Sequence, residues 1–216
     1  GTLTHVLGSA DDDFKAGLSA LGYRQEGTAL ELRADVEEWT AGRGAPAYVR
    51  IVPWTEDLDG PTRRAFNSVN AQLGTATHVT KAQWAQINGA MNRDWSFVAL
   101  NEEGDRPRVV GLISTGAFEQ DWDALGWKEG VLQIVAVFEP DGHDEILRAL
   151  LDACMGALEA SGLDKLSVTL DPVSDEATTN FYRRQGFTVS RWFDTYSLKI
   201  RSGPRLVSRL MASNGT

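Results

Sequence analysis

Val131-Leu132-Gln133-Ile134-Val135-Ala136-Val137-Phe138 is followed by Glu139-Pro140-Asp141-Gly142, and the hydrophobic period then changes. The first run is β-branched and almost wholly apolar, which predicts a central strand covered on both faces. Proline cannot donate to a ladder and glycine tolerates a turn, so the strand ends at Pro140. Ile146, Leu147, Leu150, Leu151, Cys154 and Leu158 then recur at three- and four-residue steps, one buried stripe of a helix that Ser161-Gly162 closes. Lys165-Leu166-Ser167-Val168-Thr169-Leu170 reads as a second strand. The unit is βαβ, with parallel strands and a right-handed crossover expected.

Asn180-Phe181-Tyr182-Arg183-Arg184-Gln185-Gly186-Phe187 follows. Its "FYRRQGF" core resembles the FY-x-x-x-GF motif of the GNAT superfamily of acyl-CoA-dependent N-acyltransferases. The order of elements from Tyr48 to Ile200 is similar too: a strand, two helices, an antiparallel meander, the βαβ unit, a short helix and a closing strand pair. The resemblance implies an α/β (α+β) GNAT fold, a mixed central sheet flanked by helices. It implies acetyl-CoA as cosubstrate and acyl transfer to a small amine. It also implies that Tyr182 protonates the departing thiolate, and that a backbone N–H of the bulged central strand, at Val135 or Val137, stabilises the oxyanion.

One part of the pattern departs. In the superfamily the loop after the central strand reads Gln/Arg-x-x-Gly-x-Gly/Ala and carries the pyrophosphate of coenzyme A on a helix N-terminus. Laid on Asp141–Leu151, the basic position falls on Gly142 and the glycine positions on Glu145 and Leu147. Acidic Asp144 and Glu145 therefore stand where a pyrophosphate belongs. They read either as first-turn acids that complement the helix dipole, at about 0.3–1 kcal/mol each, or as part of an altered coenzyme A loop that uses Gly142 and His143. The function reads accordingly: an acetyltransferase with a degenerate pyrophosphate loop, or a non-catalytic GNAT-like domain that supports a partner or binds a ligand.

The first segment resembles the last. With Gly22 laid on Gly186, Ser9–Asp12 meets Val173–Glu176, and Leu30-Glu31-Leu32 comes close to Tyr196-Ser197-Leu198. Leu18 then stands at the position of Tyr182. This reads as an internal repeat, with chance likeness of two strand-helix-strand pieces as the alternative. Residues 1–34 would be the closing portion of a partial first GNAT-like copy, 35–47 a linker rich in small residues, 48–200 the GNAT domain, and 201–216 a tail that reads either as a short basic helix or as a frayed terminus. That arrangement resembles the C-terminal part of tandem GNAT proteins such as mycothiol synthase-like enzymes. The partner would be the missing first copy. A homodimer in which residues 1–34 complete a neighbour's sheet is the third arrangement.

Between these landmarks, Pro61–Leu73 and Lys81–Met91 read as helices, the second opened by a Thr80/Gln83 capping box. The resemblance implies that these two helices wall the acceptor site; Trp84, Asn88 and Met91 share one face, which reads as core packing, with substrate contact as the alternative. Trp95–Leu100 and Arg108–Ser114 read as a hairpin. The acidic, aromatic stretch Glu119–Lys128 offers Glu119, Asp121 or Asp123 to hold an amine, with Trp122 or Trp127 as a wall; a solvated loop is the alternative.

Composition narrows the class. The chain has 216 residues, a net charge of −9 and one cysteine. The acidic balance argues against a nucleic-acid surface or an anionic membrane. No apolar run of about 18 residues is present to span a bilayer. A lone cysteine on a buried stripe rules out a disulfide framework or a cysteine zinc site and fits the cytoplasm. His5, His78 and His143 form no pattern, so no metal is expected, and Asp171 and Glu119 are the conceivable bases.

Overall fold

The protein is described from a computed structural model, which covers residues 2–8, 12–73, 78–171 and 176–199. The residues aligned around Ser9–Asp11 and Val173–Asp175, and the expected basic tail helix, lie outside the described residues.

Among the described residues eight strands form one sheet in the order β1-β8-β2-β7-β6-β5-β4-β3. They are β1 (Thr2–Gly8), β2 (Arg24–Asp35), β3 (Val49–Pro53), β4 (Phe97–Asn101), β5 (Arg108–Gly116), β6 (Glu129–Val137), β7 (Lys165–Leu170) and β8 (Thr188–Lys199). Among these described strands only β6 and β7 pair in parallel. The helices are α1 (Asp12–Ala20), α2 (Asp59–Leu73), α3 (Lys81–Ile87), the one-turn α4 (Trp122–Leu125), α5 (His143–Ala160) and α6 (Glu176–Arg184). The mixed sheet with its βαβ unit and flanking helices is the architecture expected from the stretch at 131–187.

The long helix α5 covers one face. Ile146, Leu147, Leu150, Leu151, Cys154, Met155 and Leu158 are buried against Leu30, Leu32, Leu132, Leu166 and Val168. Each large apolar side chain so covered contributes about 1.5–3 kcal/mol. A second cluster, Trp54, Trp84, Val98, Leu100 and Leu112, lies under α2 and α3.

The closing strand pair expected near the end is instead a single strand with two partners. β8 lies between β1 and β2, antiparallel to both, and β2 lies between β8 and β7. The reason is pairing between distant segments: the strand that completes the sheet comes from the first segment.

The β2–β8 ladder is symmetric about its own centre. With Gly22 laid on Gly186, the pair Leu30↔Trp192 becomes Asp194↔Thr28, and Arg24↔Ser197 becomes Thr188↔Arg33. Gln25↔Tyr196 becomes Val189↔Leu32. The ladder skips one residue on each strand, Glu26 and Ser190, and the same superposition exchanges them. In the same way β1 flanks β8 as β7 flanks β2.

Residues 35–47 are docked rather than free. The Val36 amide donates to Asp164 O at 2.9 Å. Trp39 packs edge-on to Phe187 with centroids 6.0 Å apart, donates from Nε1 to Asp152 at 2.9 Å, and lies under the Arg148 guanidinium at 4.2 Å. Two local expectations differ. On α1 only Leu18 of the stripe is buried, while Phe14 and Leu21 are 48% and 71% exposed. The second helix stops at Ile87 because Asn88-Gly89 leaves the helical path, and Met91 bridges to Gly116 of β5. The capping box itself is complete: the Thr80 amide donates to Gln83 Oε1 and the Gln83 amide to Thr80 Oγ1.

Candidate active site

β6 and β7 stay paired only from Glu129↔Lys165 to Leu132↔Val168. Beyond that they part. Gln133 is bulged out of register against β5, since Ser114 faces Ile134 and Thr115 faces Leu132. This opening is why β6 is not covered on both faces as expected; its residues from Gln133 onward are half-buried. The cleft holds about 230 Å³ and is lined by Gln133, Val135, Val137, Thr169, His143, Leu147 and Tyr182, among others.

The strand backbone arms this cleft. The Phe138 amide donates to Val110 of β5 at 2.7 Å. Amides alternate direction along a strand, so Ala136 and Ile134 also face β5, whereas Val135 and Val137 direct theirs to the open side. The bulged Gln133 adds a buried Oε1 with no hydrogen-bond partner. An orphaned buried acceptor is costly.

Tyr182 sits on α6 and is 1% exposed. Its ring stands edge-on to Phe181 at 5.7 Å and to Phe187 at 5.0 Å. The FY-x-x-x-GF residues therefore hold one another, and Gly186, at φ +95°, turns the chain back so that Phe187 reaches the ring.

The start of α5 has the geometry of an anion site and the charge of a cation site. Gly142 is its N-cap, at φ +70°, and makes no side-chain cap. The first-turn amides therefore point outward uncapped. Tyr48 Oη donates to Asp141 O at 3.1 Å and closes over the loop. Asp144 is shared between His143 Nδ1 at 3.3 Å and Arg184 Nη2 at 3.6 Å, across a shallow cavity of about 280 Å³ between α5 and α6. Tyr48 is pushed above the ordinary tyrosine value, by desolvation first and then by Glu139, Asp141, Glu145 and Glu103. Leu147 is buried in the core beneath. Gly142 lies outside the walls of both cavities, and His143 lines both.

The acidic, aromatic stretch divides. Asp121 and Trp122 line a cavity of about 440 Å³ on the sheet face opposite α5, together with Glu31, Glu129, Ser167, Thr169 and Arg191. Trp122 Nε1 donates to Glu129 O at 3.2 Å. Glu119, exposed on a 3-10 turn, and Asp123 are not among its walls. Trp127 is not a wall either: the Arg33 guanidinium and the Lys165 ammonium lie 5.1 and 5.3 Å from its ring. Arg33 bridges Glu129 and Glu31, and Arg191 meets Glu31 at 3.0 Å. Thr169 lines this cavity and the β6–β7 cleft alike.

Sequence reading missed Gln133, Glu129 and Glu31. Gln133 carried a signal, as the sole polar residue in Val131–Phe138. Glu129 and Glu31 carried little, because a carboxylate flanking or inside a strand is ordinary until its partners are known. Cys154 is a core residue: burial pushes its thiol up to about 12, against a contact with Thr115 Oγ1 at 3.3 Å. Among the described residues no cluster of three or more His, Cys, Asp or Glu side chains could hold a metal ion, and no helix is long and apolar enough to cross a membrane.

No protein-family model and no curated protein matches the sequence. Solved structures do. A GCN5-related N-acetyltransferase from Sphaerobacter thermophilus superposes with a TM-score of 0.73 at 17% identity, over 94% of this chain and 61% of that one. A tandem GNAT protein from the clavulanic acid biosynthesis pathway gives 0.61 at 12% identity, over 91% and 63%. A GCN5-related N-acetyltransferase from Kribbella flavida gives 0.55 at 14% identity, over 94% and 70%. The chain thus spans 61% of the length of the Sphaerobacter protein.

Proposed function

We propose that this chain, which has the fold of the GCN5-related N-acetyltransferases, transfers an acetyl group from acetyl-CoA to a small amine where β6 parts from β7. The observation that carries this reading is the cleft itself. Its open strand edge offers the Val135 and Val137 amides, its wall holds the orphaned Gln133 Oε1, and Tyr182 lines it from α6. In this reading the two amides hold the acyl donor and the developing oxyanion. Gln133 accepts a hydrogen bond from the attacking amine or from an amide of the donor. Tyr182 supplies a proton to the departing thiolate, and the proton that the amine releases as the amide forms restores the hydroxyl. The acceptor enters from the cavity lined by Asp121, Trp122, Glu129 and Glu31, which meets the cleft at Thr169.

The residues fit such a donor unevenly. The uncapped start of α5, with Gly142 and His143, suits a phosphate, and Arg184 offsets Asp144. Glu145 and the surrounding acids oppose one. That acid ring favours a second reading, a non-catalytic domain that supports another copy. The symmetric β2–β8 ladder supports the related proposal that residues 1–34 are the closing portion of a first GNAT-like copy. The single buried cysteine fits a cytoplasmic setting.

Calorimetric titration with acetyl-CoA, with coenzyme A as the comparison, separates the readings. Micromolar binding, about −8 kcal/mol, followed by turnover with a panel of primary amines, supports the enzyme. Absence of heat at millimolar ligand sinks it and leaves the scaffold.

A further inference from the structure

Arg148 follows Leu147 of the cleft wall on α5, and its guanidinium is engaged on every side. Nε donates to Asp152, one turn on, at 3.0 Å. Nη2 donates to Thr40 O and Nη1 to Gln185 Oε1. Its flat face covers the Trp39 ring, 4.2 Å from the centroid. Asp152 completes the group, accepting from Trp39 Nε1 and from the Gly42 amide, both at 2.9 Å. A Cβ at Gly42 would meet Arg148 Cγ at 3.0 Å, so the chain at 39–42 lies directly on the pair. Residues 39–42, α5 and the end of α6, distant in sequence, are thereby clamped together.

The end of α6 is where Tyr182 is held. The amides of Gln185 and Phe187 both donate to Tyr182 O, at 3.0 and 3.1 Å. Trp39 stands edge-on to Phe187, and Phe187 edge-on to Tyr182. The clamp therefore reaches Tyr182 by two routes, through the Gln185 turn and through the stacked rings. The first segment supplies an internal control. With Gly22 laid on Gly186, Gln185 becomes Leu21, which is exposed, and Tyr182 becomes Leu18. The turn there is the same: the amides of Leu21 and Tyr23 donate to Leu18 O at 3.1 and 3.0 Å. The turn forms without a clamped glutamine, and the clamp is present where the tyrosine is.

We infer that Arg148, together with Trp39 and Gln185, is a positioning residue for Tyr182: the clamp fixes the ring in the β6–β7 cleft from a strap, residues 36–48, that follows β2. Arginine suits the task because its planar fork directs several hydrogen bonds while its face stacks on an indole; a lysine ammonium keeps the charge and loses both. The effect on rate rests on the acetyl-CoA reading. The placement of the ring does not.

Two readouts on the full chain test this. The first needs no activity. The ring ¹H–¹³C signals of the four tyrosines are compared in Gln185→Ala and Arg148→Lys, with Tyr182 assigned by its loss in Tyr182→Phe. The Tyr182 signals should move in both variants while those of Tyr196, on β8, stay in place. Gln185 is half-buried at the end of α6, so Gln185→Ala keeps the test open if Arg148→Lys fails to fold. Unmoved Tyr182 signals overturn the inference.

The second readout is kinetic, with acetyl-CoA and the primary amine that the panel identifies. The rate constant kcat should fall about tenfold or more in either variant, with KM for acetyl-CoA kept within about twofold. In a Tyr182→Phe background the same substitutions should add little, because the hydroxyl they place is gone. A purely structural residue would lower activity with or without that hydroxyl, so additive losses, or a raised KM at unchanged kcat, overturn the inference. If the unaltered chain transfers no acetyl group, the acetyl-CoA reading fails and the ring signals alone decide the placement.

Discussion

Lys15 Nζ, on α1, lies 2.5 Å from Asp194 Oδ2, on β8. The same carboxylate accepts from Gln25 Nε2 at 2.8 Å and Thr28 Oγ1 at 2.9 Å. These partners hold Asp194 below its ordinary value of 3.8, and Asp194 holds Lys15 above 10.5. The contribution of Asp194 to stability is complete above pH 3.8 and is lost as pH falls through the lower folded value. That of Lys15 is complete below pH 10.5 and is lost as pH rises through the higher folded value. Urea midpoints measured from pH 7 down to pH 2 should therefore fall less steeply for Asp194→Asn than for the unaltered protein. Equal slopes would mean that the contact does not titrate with folding.

Tyr182→Phe keeps the aromatic contacts with Phe181 and Phe187 and removes only the hydroxyl. If Tyr182 serves the leaving thiolate, the turnover rate should drop by about a hundredfold, with coenzyme A affinity unchanged by calorimetry. Equal loss of affinity and rate would make the hydroxyl a binding group only.

Gly116 leaves no space for a side chain. A Cβ there would lie 2.3 Å from Ala90 O and 2.5 Å from Gln133 Nε2. The first neighbour is backbone and cannot turn aside. Gly116→Ala should lower stability by about 1–3 kcal/mol and displace Gln133. Thermal melting reads the first effect, and the rate with acetyl-CoA reads the second.

Gly142 combines a left-handed backbone, φ +70°, with a Tyr48 Oη that a Cβ would meet at 2.8 Å. Gly142→Ala should cost about 1–2 kcal/mol for the backbone alone, plus a steric part. In a Tyr48→Phe background the steric part is relieved, so a double-mutant cycle should show coupling. Additive costs would show that the clash is absorbed by movement of Tyr48.

Cys154, fully buried with its thiol pushed up to about 12, should resist a thiol-reactive disulfide reagent at pH 8 and react stoichiometrically once urea unfolds the chain. Rapid reaction of the folded protein would contradict the burial.

What could be read in advance was local. Lys165–Leu170 is a strand over the stretch expected, and the stripe from Ile146 to Leu158 is the buried face of α5. Periodicity reports such features because it records which face of one element meets the core. Pairing between distant segments has no such record. Nothing in Leu30-Glu31-Leu32 announces that it lies between β7 and β8, or that Glu31 will share Arg33 with Glu129. Trp84, Asn88 and Met91 had the spacing of a core face, and only the turn at Asn88-Gly89 and the charges of α2 make that face a cavity wall. Trp127 read as a binding wall because its aromatic character was visible and its two cationic neighbours were not.

The position of β8 between β1 and β2 sets the order in which this molecule can be assembled. Both neighbours come from Thr2–Asp35, so they are made well before the strand that joins them. β1 cannot enter the sheet until β8 has been synthesised, and one edge of β2 stays open for the same interval. Contacts between the two ends of a chain are slow to form, and an open strand edge invites pairing with other chains. A nascent chain arrested before Thr188 would leave both early strands unsatisfied at once. Slowing elongation would therefore lengthen the vulnerable period of this protein instead of helping it fold.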